Sequence, residues 1–185
     1  MIEGMITYVL KEVAMTTLFD YYQLAEVEGY CRACPNYGRI WSCPPYEADV
    51  IEGIKTFDRV LVIGVETFDF QATKRAIALA MNHLAERLPV NVLIAGNCEI
   101  CETCSKGAGM PCVYPEQMKY SLESIGFHVS DICEHILAKP LIWDEENPVY
   151  LAVAAVLYRT DDANVRFNAT LNQLLEGCGW HRPSE

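Results

Sequence analysis

Two tight groups of cysteines constrain the fold of this chain more than any other feature. Seven of the nine cysteines fall into these groups: Cys31, Cys34 and Cys43 in the first, and Cys98, Cys101, Cys104 and Cys112 in the second. The surrounding segments, residues 30–46 and 97–115, are rich in Cys, Pro and Gly and follow neither the helical nor the strand period. We therefore expect two irregular loops whose shape depends on thiolate-bound metal.

The spacing within the second group favours an iron–sulfur cluster. Three cysteines separated by two residues each can hold three corners of a [4Fe–4S] cube, with Cys112 as the fourth ligand. Zinc sites more often combine two Cys-x-x-Cys pairs separated by a longer loop, so zinc stays as the alternative. A cysteine that follows such a triplet often binds the other cluster of a pair, which leaves Cys112 open to assignment to either group.

The first group supplies only three thiolates, and the sequence leaves its fourth ligand open. The candidates are Cys133, Cys178, a histidine, of which His135 is the first to test, or no protein group at all. In the last case one iron would be open to water or substrate, as at sites that do Lewis-acid chemistry. Cys133 shares an apolar helical phase with Ile132 and Ile136, where a buried inert thiol is the commoner outcome.

Length and charge narrow the class of protein. At 185 residues with 51% apolar side chains, we expect residues 1–185 to form a single α/β metal-binding domain. The formal net charge of −11 disfavours a nucleic-acid partner, and no apolar run reaches the ~20 residues that span a bilayer. An odd number of cysteines without a signal peptide disfavours disulfides, so we expect a cytoplasmic protein.

Hydrophobic periodicity predicts an α/β fold with a small mixed sheet and crossover helices. Buried strands are expected at residues 59–65, 90–96 and 149–158, and helices at residues 16–28, 72–88, 116–125, 131–137 and 161–176. Because a helix separates the first two strands, we expect a right-handed crossover between parallel strands. The second cysteine loop then follows directly from the strand at 90–96.

The motifs of both loops resemble those of an uncharacterised prokaryotic family of predicted metal-binding proteins. From Cys31 to Pro45 the chain reads Cys-x2-Cys-x2-Tyr-Gly-x2-Trp-x-Cys-Pro-Pro, and from Cys98 to Pro115 it reads Cys-x2-Cys-x2-Cys-x7-Cys-x2-Pro. The resemblance spans most of the chain and joins two unusual cysteine arrangements in the same order. It implies metal or cluster binding by all seven cysteines, and it implies no activity.

Three functions are compatible with such a site. The first is electron transfer or a redox accessory role, in which one or two [4Fe–4S] clusters exchange electrons with a partner protein through an acidic surface. The second is a zinc-stabilised binding module with no redox role. The third is an iron–sulfur enzyme with an open iron at the three-cysteine site. The chain carries no phosphate-binding loop, nucleophile elbow, His-Glu-x-x-His pair or dinucleotide fingerprint.

Overall fold

The structure is a computed structural model that describes residues 6–47, 49–141, 149–160 and 166–182, and the side chains of 166–168 are not described. Its centre is a four-stranded sheet with the strand order β1-β2-β4-β3. The strands are β1 (Thr7–Ala14), β2 (Arg59–Thr67), β3 (Asn91–Leu93) and β4 (Tyr150–Tyr158). The two central strands, β2 and β4, are almost continuously buried because helices and loops cover both faces of the sheet.

The α/β class is confirmed, but the strands do not pair as a mixed sheet. Every adjacent pair, β1 with β2, β2 with β4, and β3 with β4, is antiparallel. Strands β2 and β3 do run parallel to each other, with β4 inserted between them. The two strands that the crossover was expected to join are thus parallel, but they are not neighbours, because the strand between them comes from much later in the chain. Strand β1 is not among the strands predicted from the sequence.

In the described part of the chain, six helices accompany the sheet: α1 (Met15–Phe19), α2 (Leu24–Arg32), α3 (Val50–Ile54), α4 (Phe70–Arg87), α5 (Val129–His135) and α6 (Arg166–Gly177). One face of the sheet packs on α4 and α6 through residues such as Ile77, Met81 and Leu171. The other face packs on the shorter helices through Leu18, Ile132 and neighbouring side chains. Among the helices of the described residues, none is both long and apolar enough to cross a membrane.

Several predicted elements differ from those observed. The helix expected at 16–28 is divided into α1 and α2, because Tyr22 forms a β-bridge with Phe127 and the Gln23 amide donates to the Gly126 carbonyl at 2.9 Å. The segment expected as a helix at 116–125 contains only a 3-10 turn at Glu123–Ile125. Strand β3 is shorter than the predicted strand at 90–96. The helix expected at 161–176 is seen as α6, and residues 161–165 lie outside the described residues.

Candidate metal centre

The first cysteine loop is a succession of turns that begins inside a helix. Cys31 lies in the last turn of α2, and the Cys34 amide donates to its carbonyl at 3.0 Å. The loop is closed by a bond from the Gly38 amide to the Pro44 carbonyl at 2.8 Å. Gly38 has a φ of 70°, a left-handed conformation that a side chain would disfavour. The turns therefore fold Cys43 back toward Cys31.

A single cavity of about 170 Å³ is lined by all three cysteines of the first loop. The same loop also contributes Asn36, Tyr37 and Pro44 to its wall. Distant parts of the chain supply the remaining residues, namely Gly96 and Asn97 after β3, and Ser121, Glu123 and Ser124 at and beside the 3-10 turn. The structure thus brings the three predicted ligands together and adds an acidic residue, Glu123, to the wall of the same cavity.

The second cysteine loop follows β3 and encloses a narrower cavity. Cys98, Cys101, Cys104 and Cys112 all line it, so the structure groups Cys112 with the triplet rather than with the first loop. Its other walls are Tyr114 and Met118 of the same region, and Ile40 and Trp41 from the first loop. The first loop therefore helps to cover the second set of cysteines.

Direct hydrogen bonds join the two loops. The Cys98 amide donates to the Ser42 hydroxyl at 2.9 Å, and the Trp41 indole donates to the Met110 carbonyl at 3.2 Å. From the other side, the Lys106 ammonium donates to the Cys43 carbonyl at 2.9 Å and lies over the Trp41 ring. The two candidate sites consequently belong to one packed unit.

The surroundings of the first set of cysteines disfavour the ionised, thiolate form of Cys43 and Cys31. Burial raises the pKa of Cys43 to about 11, and the neighbouring thiols of Cys34 and Cys31 add to that shift. Burial also raises the pKa of Cys31, with further contributions from the negative charge of Glu123 and from Cys34. Sulfurs this close repel one another when ionised, and a bound cation offsets both the repulsion and the burial.

The second set shows the same electrostatic pattern. Burial raises the pKa of Cys98, and the thiols of Cys101, Cys112 and Cys104 raise it further. Lys106 is the cation near both sets: burial lowers its pKa, while the thiols of Cys43 and Cys104 oppose that shift. Four mutually repelling thiols around one small cavity, of about 20 Å³, suit soft, positively charged metal bound by thiolates.

Within the described ranges, no three His, Cys, Asp or Glu side chains stand as a ready-made site for a metal ion. The fit of metal to this structure therefore rests on the two cysteine-lined cavities, on the thiolate donor chemistry and on the buried carboxylate oxygen of Glu123, a residue in the wall of the first cavity. No disulfide consumes these thiols, since all nine cysteines are free.

The other candidate ligands named from sequence lie away from both cysteine-lined cavities. Cys133 is fully buried in the core beside Ile132, and burial raises its pKa to about 12. Cys178 is exposed after α6. The ring of His135 stacks on Tyr21 and is held by the Asp131 carbonyl at 3.0 Å.

Glu123 is the residue that sequence reasoning missed. It falls in the segment that periodicity predicts as a helix, between Leu122 and Ser124, where a glutamate is expected to face solvent. Its only sequence signal was its place between Leu122 and Ile125, which does not distinguish a ligand from a surface residue.

These features define a class: a small α/β protein with two packed, cysteine-lined cavities suited to thiolate-bound metal. A family model described as "Predicted metal-binding protein (DUF2284)" matches residues 21–158, and the chain belongs to this family. The matched range contains both cysteine loops and Glu123. No curated protein and no solved structure was found to match the chain.

Proposed function

We propose that each cysteine set holds a [4Fe–4S] cluster and that the protein passes single electrons between these clusters and a partner protein. A cluster bound at either set would supply reversible one-electron transfer. The observation that carries this proposal is the packing of the four-cysteine cavity directly against the three-cysteine loop. The remaining support comes from the surface around the loops.

The two cavities share a wall, which suits electron exchange between them. Asn97 lines the first cavity and the next residue, Cys98, lines the second. The cavities are therefore close together, because consecutive Cα atoms are only about 3.8 Å apart. Two consecutive residues of the first loop also connect the two sites. Ser42 accepts a hydrogen bond from the Cys98 amide of the second site, and Cys43 lines the first cavity. Two redox groups held here would be neighbours without intervening secondary structure.

The surface of the second loop supports docking of a partner. Four large apolar side chains are exposed on it: Ile100, Met110, Val113 and Tyr114. Grouped exposed apolar residues are typical of protein interaction sites, and the net charge of −11 would steer the protein toward a basic face. Free thiols also agree with a reducing compartment, and we infer the cytoplasm.

Spectroscopy of anaerobically prepared protein tests this function. We expect absorption near 400 nm that bleaches on reduction, and an EPR signal in the reduced protein. Cys104→Ser should remove one cluster's contribution and Cys43→Ser should weaken the other's, while the matched control Cys178→Ser, outside both cavities, should change neither. Colourless protein with stoichiometric zinc would instead establish the zinc-stabilised binding module.

An iron–sulfur enzyme is the second candidate, and one observation favours it. A cavity of about 400 Å³ lies beside the first site and shares Cys31, Pro44 and Glu123 with it. A small molecule there would reach an iron held by the first loop if one coordination position were exchangeable. Cyanide should then alter the EPR signal of the first cluster alone, and an unaltered signal would reject this candidate.

A further inference from the structure

We propose that Glu123 supplies the fourth protein ligand of the three-cysteine site, through its Oε2 atom. The inference rests on the proposed function only in assuming that this site holds metal. It assigns the first loop a complete Cys3Glu donor set, in place of an open position or a fourth cysteine.

One oxygen of the Glu123 carboxylate lacks a hydrogen-bond partner among the described residues. Glu123 Oε2 is buried, and the described part of the chain offers it no hydrogen-bond partner. A buried carboxylate oxygen without a partner costs more than a typical hydrogen bond contributes, so it is rarely retained without a compensating group. A metal cation in the adjoining cavity is such a group.

Glu123 also lies close to the three cysteines. Glu123 lines the same cavity as Cys31, Cys34 and Cys43, and the Cys31 thiol is 4.0 Å from the Glu123 carbonyl oxygen. The carboxylate is also close enough to influence Cys31, because its charge is the second largest cause of the raised pKa of that thiol. The three cysteines and Glu123 therefore surround one cavity.

Hydrogen bonds between two serines fix the backbone that carries Glu123. Ser121 and Ser124 flank it and bond reciprocally: the Ser121 amide donates to the Ser124 hydroxyl at 3.0 Å, and the Ser124 amide donates to the Ser121 hydroxyl at 3.3 Å. Both serines are buried. Ligands carried on such a fixed turn need little ordering when metal binds.

The cation whose charge acts on Glu123 is Lys74, and it is already engaged by other groups. Lys74 donates to Asn97 Oδ1 and to Glu99 Oε1, each at 2.7 Å. Burial raises the pKa of Glu123, and its own backbone amide, the Ser121 side chain, the Lys74 charge and the Gly96 backbone only partly oppose that shift. The residue thus has a buried acceptor and lacks a dedicated ion-pair partner among the described residues.

Other residues are poorly placed for this role. Cys133 is in the apolar core, Cys178 is exposed at the end of α6, and His135 is held by Asp131 and Tyr21. None of these three residues lines the first cavity, whereas Glu123 does.

The test compares anaerobically reconstituted wild type, Glu123→Gln, Glu123→Cys and the control Glu47→Gln. Glu47 lies in the wall of the neighbouring cavity and is exposed, so its loss should leave both clusters unchanged. In Glu123→Gln we expect about one iron fewer per chain after mild oxidation, with the EPR signal of a three-iron cluster, because the corner without a strong protein ligand is labile. In Glu123→Cys we expect full iron retention and a shifted midpoint potential.

A Glu123→Gln protein with the iron content, EPR signals and potentials of the wild type would overturn the assignment. If Glu123→Gln does not fold, Glu123→Cys decides: full iron with an unshifted potential contradicts ligation. Wild-type protein without iron or sulfide would refute the proposed function separately. In a zinc-loaded protein, loss of about one zinc per chain in Glu123→Gln but not in Glu47→Gln would still support Glu123 as a ligand.

Discussion

At the scale of single residues, Ser42 shows how the irregular loops are held together. Its side chain is fully buried, although the loop around it has no regular secondary structure. The hydroxyl accepts the Cys98 amide, and its carbonyl accepts the Tyr46 hydroxyl at 2.9 Å. One small polar residue therefore satisfies backbone and side-chain groups at the boundary between the two candidate sites.

Replacing Ser42 with alanine should destabilise the protein measurably. The Cys98 amide would lose its acceptor in a partly buried position, and an unsatisfied buried donor typically costs about 1–3 kcal/mol. The free energy of unfolding, measured by anaerobic urea denaturation, should fall by that amount. The control Ser130→Ala alters an exposed serine on α5 and should stay within about 0.5 kcal/mol of wild type. Equal stabilities of the two variants would show that the bond contributes nothing.

The seven cysteines could be predicted from spacing alone because ligand spacing is a local property of the chain. Their convergence on two cavities agrees with that prediction, although metal binding by these residues stays a prediction. Glu123 could not be predicted, because it reaches the first cavity only through the turn at Glu123–Ile125. Its closeness in space to Cys31, which is far away in the sequence, is a property of the tertiary structure that no local pattern records.

At the scale of elements, the turn that carries Glu123 depends on the glycine that ends it. Gly126 has a φ of 102°, and its carbonyl accepts the Gln23 amide where the chain enters α2. An added Cβ would lie 2.9 Å from side-chain carbons of both Leu24 and Tyr22. The contact between this turn and α2 therefore requires a residue without a side chain.

Gly126→Ala should consequently destabilise the fold, whereas a matched glycine should not. Left-handed backbone strain and the two close contacts together are expected to cost about 1–3 kcal/mol. Gly53 lies inside α3 with open space around it, and Gly53→Ala should be neutral or stabilise the helix by roughly 0.5–1 kcal/mol. Thermal unfolding of both variants measures the difference. Indistinguishable midpoints would contradict the role given to Gly126.

Lys106 joins the two cysteine loops electrostatically as well as by hydrogen bonds. Its ammonium lies near the thiols of Cys43 and Cys104, so it should stabilise the more negative, reduced form of clusters held there. We expect Lys106→Met to lower the midpoint potentials in an EPR-monitored redox titration. Lys11 is exposed on β1, at the opposite edge of the sheet from β3, and Lys11→Met should leave the potentials unchanged. A rise in potential would contradict this account.

The sheet illustrates which element properties were accessible from sequence. The apolar runs at β2 and β4 predicted strands correctly, since burial on both faces leaves a continuous signature. The pairing of the strands could not be predicted from the sequence, because the placement of β4 between β2 and β3 depends on contacts between residues far apart in the chain.

At the scale of the whole molecule, charge should govern exchange of electrons with other molecules. The net charge of −11 attracts cations over roughly the 10 Å Debye length at 0.1 M salt. Added salt should therefore slow oxidation of the reduced protein by a cationic cobalt complex and speed its oxidation by ferricyanide. Stopped-flow absorbance near 400 nm measures both rates. A salt response of the same sign for both oxidants would contradict control by net charge.

The pairing of the two loops is the property of the whole molecule on which the proposed function depends. Residues 30–46 and 97–115 are separated by β2, α4 and β3, yet they bond directly to each other. The composition of the reconstituted protein reports whether both loops act as cluster sites.

Iron and acid-labile sulfide content of anaerobically prepared protein tests this most directly. Two cubane clusters require about eight iron and eight sulfide per chain, and loss of the second site in Cys104→Ser should leave about four of each. Stoichiometric zinc without sulfide, or iron content unchanged in Cys104→Ser, would contradict the account.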